Sequence, residues 1–161
     1  MRLTGIGSLA ALLVLAAPLS AHEKHPKAAE AGALPVSARG AAAAVDAFHA
    51  ALDRGDTRTA ASLLADDALI FESGGAERSK AEYAAHHLAA DAEFSRAASS
   101  VVTRRAGSTI GGIAWIASEG RTTGTWKGKA IDLLTTETMV LRRVGPAWKI
   151  THIHWSSAAK R

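Results

Sequence analysis

The sequence predicts an α+β fold, with three helices packed on one curved antiparallel sheet. Two observations carry this. In the first half of the chain, apolar residues recur at the spacing of amphipathic helices. From about Phe94 onward, β-branched and aromatic residues take over and glycine turns punctuate them. Sequential strands joined by short turns form a meander, and the helices that precede it must cover one of its faces.

The first 21 residues place Arg2 ahead of an apolar run over 9–17, followed by Pro18 and Ala21. This is the pattern of a secretory signal peptide cleaved after Ala21, so the mature protein is expected to be periplasmic or secreted. The run is too short to span a bilayer, and no later segment reaches the roughly 20 apolar residues that a membrane helix needs. No membrane contact is expected after cleavage. There is no cysteine, so neither disulfides nor thiolate chemistry contribute in that oxidising compartment. Residues 22–38 mix charge, alanine and two prolines without periodicity, which reads as a flexible linker ahead of one domain over 39–161. The 19 basic and 15 acidic residues give +4, and loss of Arg2 with the leader lowers this to +3. The basic residues are scattered, without the clustering and stacking aromatics of a nucleic-acid surface, so no nucleic-acid partner is expected.

Val45, Phe48 and Leu52 place a first helix over 41–54, stopped by Gly55. Asp56 is positioned to cap a second over 57–66 with Ala60, Leu63 and Leu64 on one face. A short strand over 68–73 ends at Gly74 and Gly75. Ser79 and Glu82 then stand in capping-box spacing at the head of a third helix that runs to about Ala92. Four strands follow over 94–105, 110–127, 130–144 and 147–157, the last two turns supplied by "KGK" and "VGP".

This order of elements, with the stretches "ALDRGDTRTAASLLADDALIFES" and "ETMVLRRVGPAWKITHIHWSS", resembles the nuclear transport factor 2-like superfamily over residues 41–157. Within it the chain resembles the SnoaL-like branch and the association domain of calcium/calmodulin-dependent protein kinase II. The resemblance implies a cone-shaped, cystatin-like fold whose helices and sheet enclose a pocket. The superfamily includes isomerases, cyclases, epoxide hydrolases, transport factors and oligomerisation modules, so function has to be argued from the site. Its enzymes place an Asp, His or Tyr within an apolar cone, but Asp66, Asp67 and Asp132 fall on no family motif. The kinase association domain lines its pocket with arginines at two positions matched here by Met139 and Trp155, which implies an apolar pocket for a small apolar molecule.

Strand alternation puts Trp148, Ile150, His152 and His154 on one face and Ile153 and Trp155 on the other. The resemblance turns Ile153 and Trp155 inward and sends the histidine pair outward. Two histidines on one strand can share a metal with a third ligand, and a new terminal His22, with His25 nearby, can chelate copper. No carboxylate completes the first set and the tail is mobile, so neither a metal nor a cofactor is expected. Tyr83 and His87, one helical turn apart, project to one side. Facing the sheet, they meet Trp115, Met139 and Trp155. The enzyme reading assigns acid/base work to His87, oriented by Glu72, with Tyr83 as hydrogen-bond donor to a substrate carbonyl. The competing reading is a non-catalytic homo-oligomerisation module. Either way, Val140, Trp148 and Ile150 on the outer face predict a homodimer.

Overall fold

The structure, a computed structural model, describes residues 34–160. The expected leader and the linker up to residue 33 lie outside the described residues. Residues 34–38, read as tether, are instead part of the folded body: Leu34 packs on the core, Val36–Ala38 forms a 3-10 turn and Ala38 is fully buried. The Thr109 hydroxyl donates to the Ser37 carbonyl at 3.1 Å and fastens this turn to the sheet.

Helix α1 (Arg39–Asp53) buries Ala41, Val45, Phe48 and Leu52 and ends where Gly55 takes a φ of +71°, a conformation cheap only for glycine. Asp56 caps α2 (Thr57–Leu63) by accepting from the Thr59 amide at 3.0 Å. Helix α2 is shorter than its sequence pattern because the chain extends from Leu64 into β1 (Leu64–Glu72). A turn with positive φ at Ser73 and Gly74 leads into β2 (Gly75–Glu77), a short strand the sequence did not reveal.

The expected third helix is two. Ser79 caps α3 (Lys80–His86), and α4 (Leu88–Ala97) follows after His87, whose φ of −120° leaves the helical region. Among the described residues there are therefore four α-helices where three were expected. Strand β3 (Ala98–Ile110) begins later than the expected 94, since α4 keeps Phe94 helical. Strands β4 (Ile113–Trp126), β5 (Lys129–Val144) and β6 (Ala147–Ala159) complete the meander.

The six strands run in the order β2-β1-β6-β5-β4-β3. The meander is antiparallel as expected, while β1 joins β6 in parallel, so the sheet is mixed. Its inner face carries Ile116, Met139, Leu141, Ile150 and Ile153, all fully buried against Val45, Phe48 and Tyr83.

Ile150 and Ile153 are three residues apart, yet both point inward. The cause is a bulge: Val140 pairs with His152 and Leu141 with Ile150, leaving Thr151 as an extra residue whose hydroxyl donates to the Val140 carbonyl at 3.1 Å. The expected alternation therefore fails at one point. Trp148 and Ile150, assigned to the outer face, belong to the inner one, where Trp148 lies against Gly40 of α1. Beyond the bulge, His152 and His154 lie outside and Trp155 inside. On the outer face His152 and His154 pack edge-on to Phe71 of β1, with ring centroids 5.3 and 6.2 Å away, and His152 Nδ1 donates to the Leu69 carbonyl at 2.8 Å.

Candidate active site

The helices and the inner face of the sheet enclose a cavity of about 370 Å³. That volume falls in the range typical of small-molecule sites. Among its polar groups is Glu137 of β5, two residues before the buried Met139 and hence also on the inner face. His49, one turn after Val45 on α1, reaches the same oxygen. His49 Nε2 lies 2.7 Å from Glu137 Oε2, and Trp155 Nε1 donates to it at 2.8 Å. Trp155 is held in turn by stacking on Phe48, ring centroids 6.3 Å apart.

Burial works against charge on both partners, but the pair overcomes it. Burial alone would lower the His49 pKa, and the hydrogen bond and charge of Glu137 outweigh this to hold it above the ordinary histidine value. Burial alone would raise Glu137, and the hydrogen bond and charge of His49, then the Trp155 donor, bring it below the usual carboxylate range. Arg105 of β3 reaches inward too, donating from Nη1 to Asp46 Oδ1 at 2.6 Å and from Nε to Ser118 Oγ at 3.1 Å.

Two further carboxyls of the cavity wall behave differently. Asp91 of α4 accepts from the Tyr83 hydroxyl at 2.7 Å. Burial nonetheless pushes Asp91 above the usual range, the Tyr83 hydrogen bond only partly offsetting it. Glu72 of β1 is exposed at the cavity rim, yet the partial burial of its carboxyl raises it as well, and the charge of Asp91 adds to the effect. Tyr83 itself is pushed upward, first by burial and then by Asp91.

Glu72 also lines a smaller annex of about 70 Å³ together with Tyr83, His87 and Glu77. Here the expected geometry needs correcting. His87 Nδ1 hydrogen-bonds Glu77, not Glu72, because the β1–β2 turn folds Glu77 back opposite Ile70. The His87 side chain is 60% exposed and sits at the annex rather than in the main cavity.

Of the expected ligand contacts, Trp155 lines the cavity. Met139 and Ile153 are sealed in the core beneath it, and Trp115 is on the outer face, 41% exposed, because β4 turns Ala114 and Ile116 inward. The lining is not simply apolar: Phe94, Val102 and Leu133 share it with His49, Arg105 and the carboxyls. Sequence reasoning missed His49, Asp91, Arg105 and Glu137. His49 and Glu137 did carry a signal, since each stands at helical or strand spacing from a residue read as buried.

A family model for the SnoaL-like domain matches residues 41–160. The chain belongs to the SnoaL-like domain family. Among solved structures, this SnoaL-like domain is similar to a candidate ketosteroid isomerase from Shewanella frigidimarina NCIMB 400, at 37% identity and a TM-score of 0.69, over 73% of this chain and 94% of that one. It is also similar to a candidate calcium/calmodulin-dependent protein kinase II association domain from Xanthomonas campestris, at 25% identity and a TM-score of 0.68, over 81% and 95% of the two chains. An NTF2-like protein with a cystatin-like fold from Novosphingobium aromaticivorans shares the fold at 12% identity, with a TM-score of 0.62 over 74% and 80%. No curated protein matches the sequence.

Proposed function

We propose that this SnoaL-like domain is exported and binds a small molecule in its cone, where Glu72 and Asp91 perform general acid/base chemistry on it. One observation carries the reading: two carboxyls line one cavity with pKa values raised mainly by burial. A raised carboxyl is a better base when ionised and still holds its proton nearer neutral pH. Tyr83 orients Asp91, and the His49–Glu137–Trp155 cluster forms a fixed polar wall for the bound molecule.

The reaction class is proton transfer beside a carbonyl, in keeping with the candidate ketosteroid isomerase at 37% identity. One carboxylate removes a proton from the carbon next to the carbonyl, leaving an enolate. The resulting acid returns that proton to another carbon of the conjugated system. Nothing is oxidised or lost. His87 lies at the annex, hydrogen-bonded to Glu77, and takes no part in this chemistry, and export rests on the leader pattern of residues 1–21.

A β,γ-unsaturated ketone is the probe, followed by the ultraviolet absorbance of its conjugated product. Glu72→Gln and Asp91→Asn should each lower kcat by about 10²–10⁴-fold. Absence of both turnover and saturable binding for a panel of such ketones ends the acid/base reading.

A second reading, self-association, is supported by exposed Ile113, Trp115 and Leu134 on the outer face and by the likeness to the association domain. It is compatible with the first, since the cone opens on the other side of the sheet.

A further inference from the structure

Beside the annex, β2 and α3 bring together a group of side chains that the proposed chemistry does not use. Glu77 of β2 is buried, its side chain only 9% exposed. One of its oxygens is bonded to His87 Nδ1. The other, Oε2, is enclosed and accepts no hydrogen bond among the described residues, a costly state for a buried carboxylate oxygen. His86 Nδ1 lies 3.4 Å from that orphaned oxygen. Glu82, one helical turn before His86 and on the same side of α3, completes the group, and donor atoms of Glu77, Glu82 and His86 all lie within 4.8 Å of one another.

The geometry points to a binding site for a divalent late transition metal, of which Zn²⁺ is the type, held by Glu77, Glu82 and His86. Two carboxylates match the charge of one divalent cation. Donors around a tetrahedral zinc stand about 3.4 Å apart given bonds of about 2.0–2.1 Å, the separation already present between His86 Nδ1 and Glu77 Oε2. Rotation of exposed His86 and half-buried Glu82 closes the rest.

The supporting contacts are in place as well. His87 fixes the far oxygen of Glu77, and the Arg78 amide donates to Glu82 Oε2 at 2.6 Å, leaving each carboxylate one oxygen for the cation. A nitrogen among three donors favours zinc, cobalt or nickel over magnesium and calcium, which prefer oxygen throughout. Three protein ligands also leave a fourth position for water.

The test is calorimetric titration of tag-free, chelator-stripped full-length protein with Zn²⁺, repeated with Mg²⁺. One Zn²⁺ should bind per chain and Mg²⁺ should not. His86→Ala and Glu82→Gln should each weaken Zn²⁺ binding at least about tenfold, and His87→Ala about 10–100-fold through loss of its hold on Glu77. Zn²⁺ should raise the Tm of the wild type but not of His86→Ala. Since Glu77→Gln risks misfolding, the exposed His86 carries the decision. Unchanged affinity in His86→Ala, equal binding of Mg²⁺, or loss of the site in His152→Ala/His154→Ala or His22→Ala/His25→Ala instead would overturn the assignment.

Discussion

Glu137 Oε2 accepts from donors on two different elements, and this makes its stability contribution depend on pH in both directions. Its folded pKa is depressed, so that contribution is present above the ordinary carboxylate value of 4.5 and is lost as pH falls through the folded value below it. His49 is raised, so its contribution is complete below 6.5 and is lost as pH climbs through its folded value above that. The gap in denaturation free energy between wild type and Glu137→Gln should therefore be widest from pH 4.5 to 6.5 and narrow on either side. Asp91 has the opposite sign. A carboxyl raised by burial works against folding once pH exceeds its ordinary value, so Asp91→Asn should raise the Tm at neutral pH even as it removes turnover. A fall in Tm would show that the Tyr83 hydrogen bond outweighs burial. Phe48, fully buried and stacked on Trp155, is a core residue, and Phe48→Ala should cost about 3–5 kcal/mol in chemical denaturation.

Elements whose ends are set by local chemistry were legible in the sequence. Gly55 stops α1, and Asp56 and Ser79 cap α2 and α3 by accepting from the Thr59 and Glu82 amides, although the Glu82 carboxylate returns to the Arg78 amide and not to Ser79 as a full capping box would. What escaped were events that no local pattern marks. The Thr151 bulge inverts the alternation of β6, and three-residue β2 is too short to show any alternation. The break at His87 interrupts a pattern that is helical on both sides. The candidate site inherits these blind spots: Glu77 replaces Glu72 beside His87 because β2 exists, while His49 and Glu137 needed only the spacing argument carried one position further. At Gly107 of β3 a Cβ would stand 2.7 Å from Ile116 Cδ1 and 2.8 Å from the Trp115 carbonyl. Gly107→Ala should therefore cost about 1–3 kcal/mol by overpacking, read from the denaturation midpoint.

At the scale of the whole molecule, one face of the sheet holds the cavity and the other presents Ile113, Trp115 and Leu134 to solvent. If copies associate through that outer face, sedimentation should show a dimer at micromolar concentration, and Trp115→Glu should yield monomers that keep the fold and the ketone turnover. A wild-type monomer would leave the face without an occupant. The strand order adds a constraint of timing. Thirteen-residue β6, the latest in sequence of the described strands, lies between β1 and β5 and, among the described residues, is the strand that joins the β1–β2 hairpin to the meander. While the ribosome still holds β6, both parts of the sheet show an unpaired strand edge to every other nascent chain nearby. A polypeptide that stops before Ala147 has no native arrangement to reach and should be cleared by proteolysis. Strand β6 thus works as a clasp, and until it is seated the two parts of the sheet remain separate pieces.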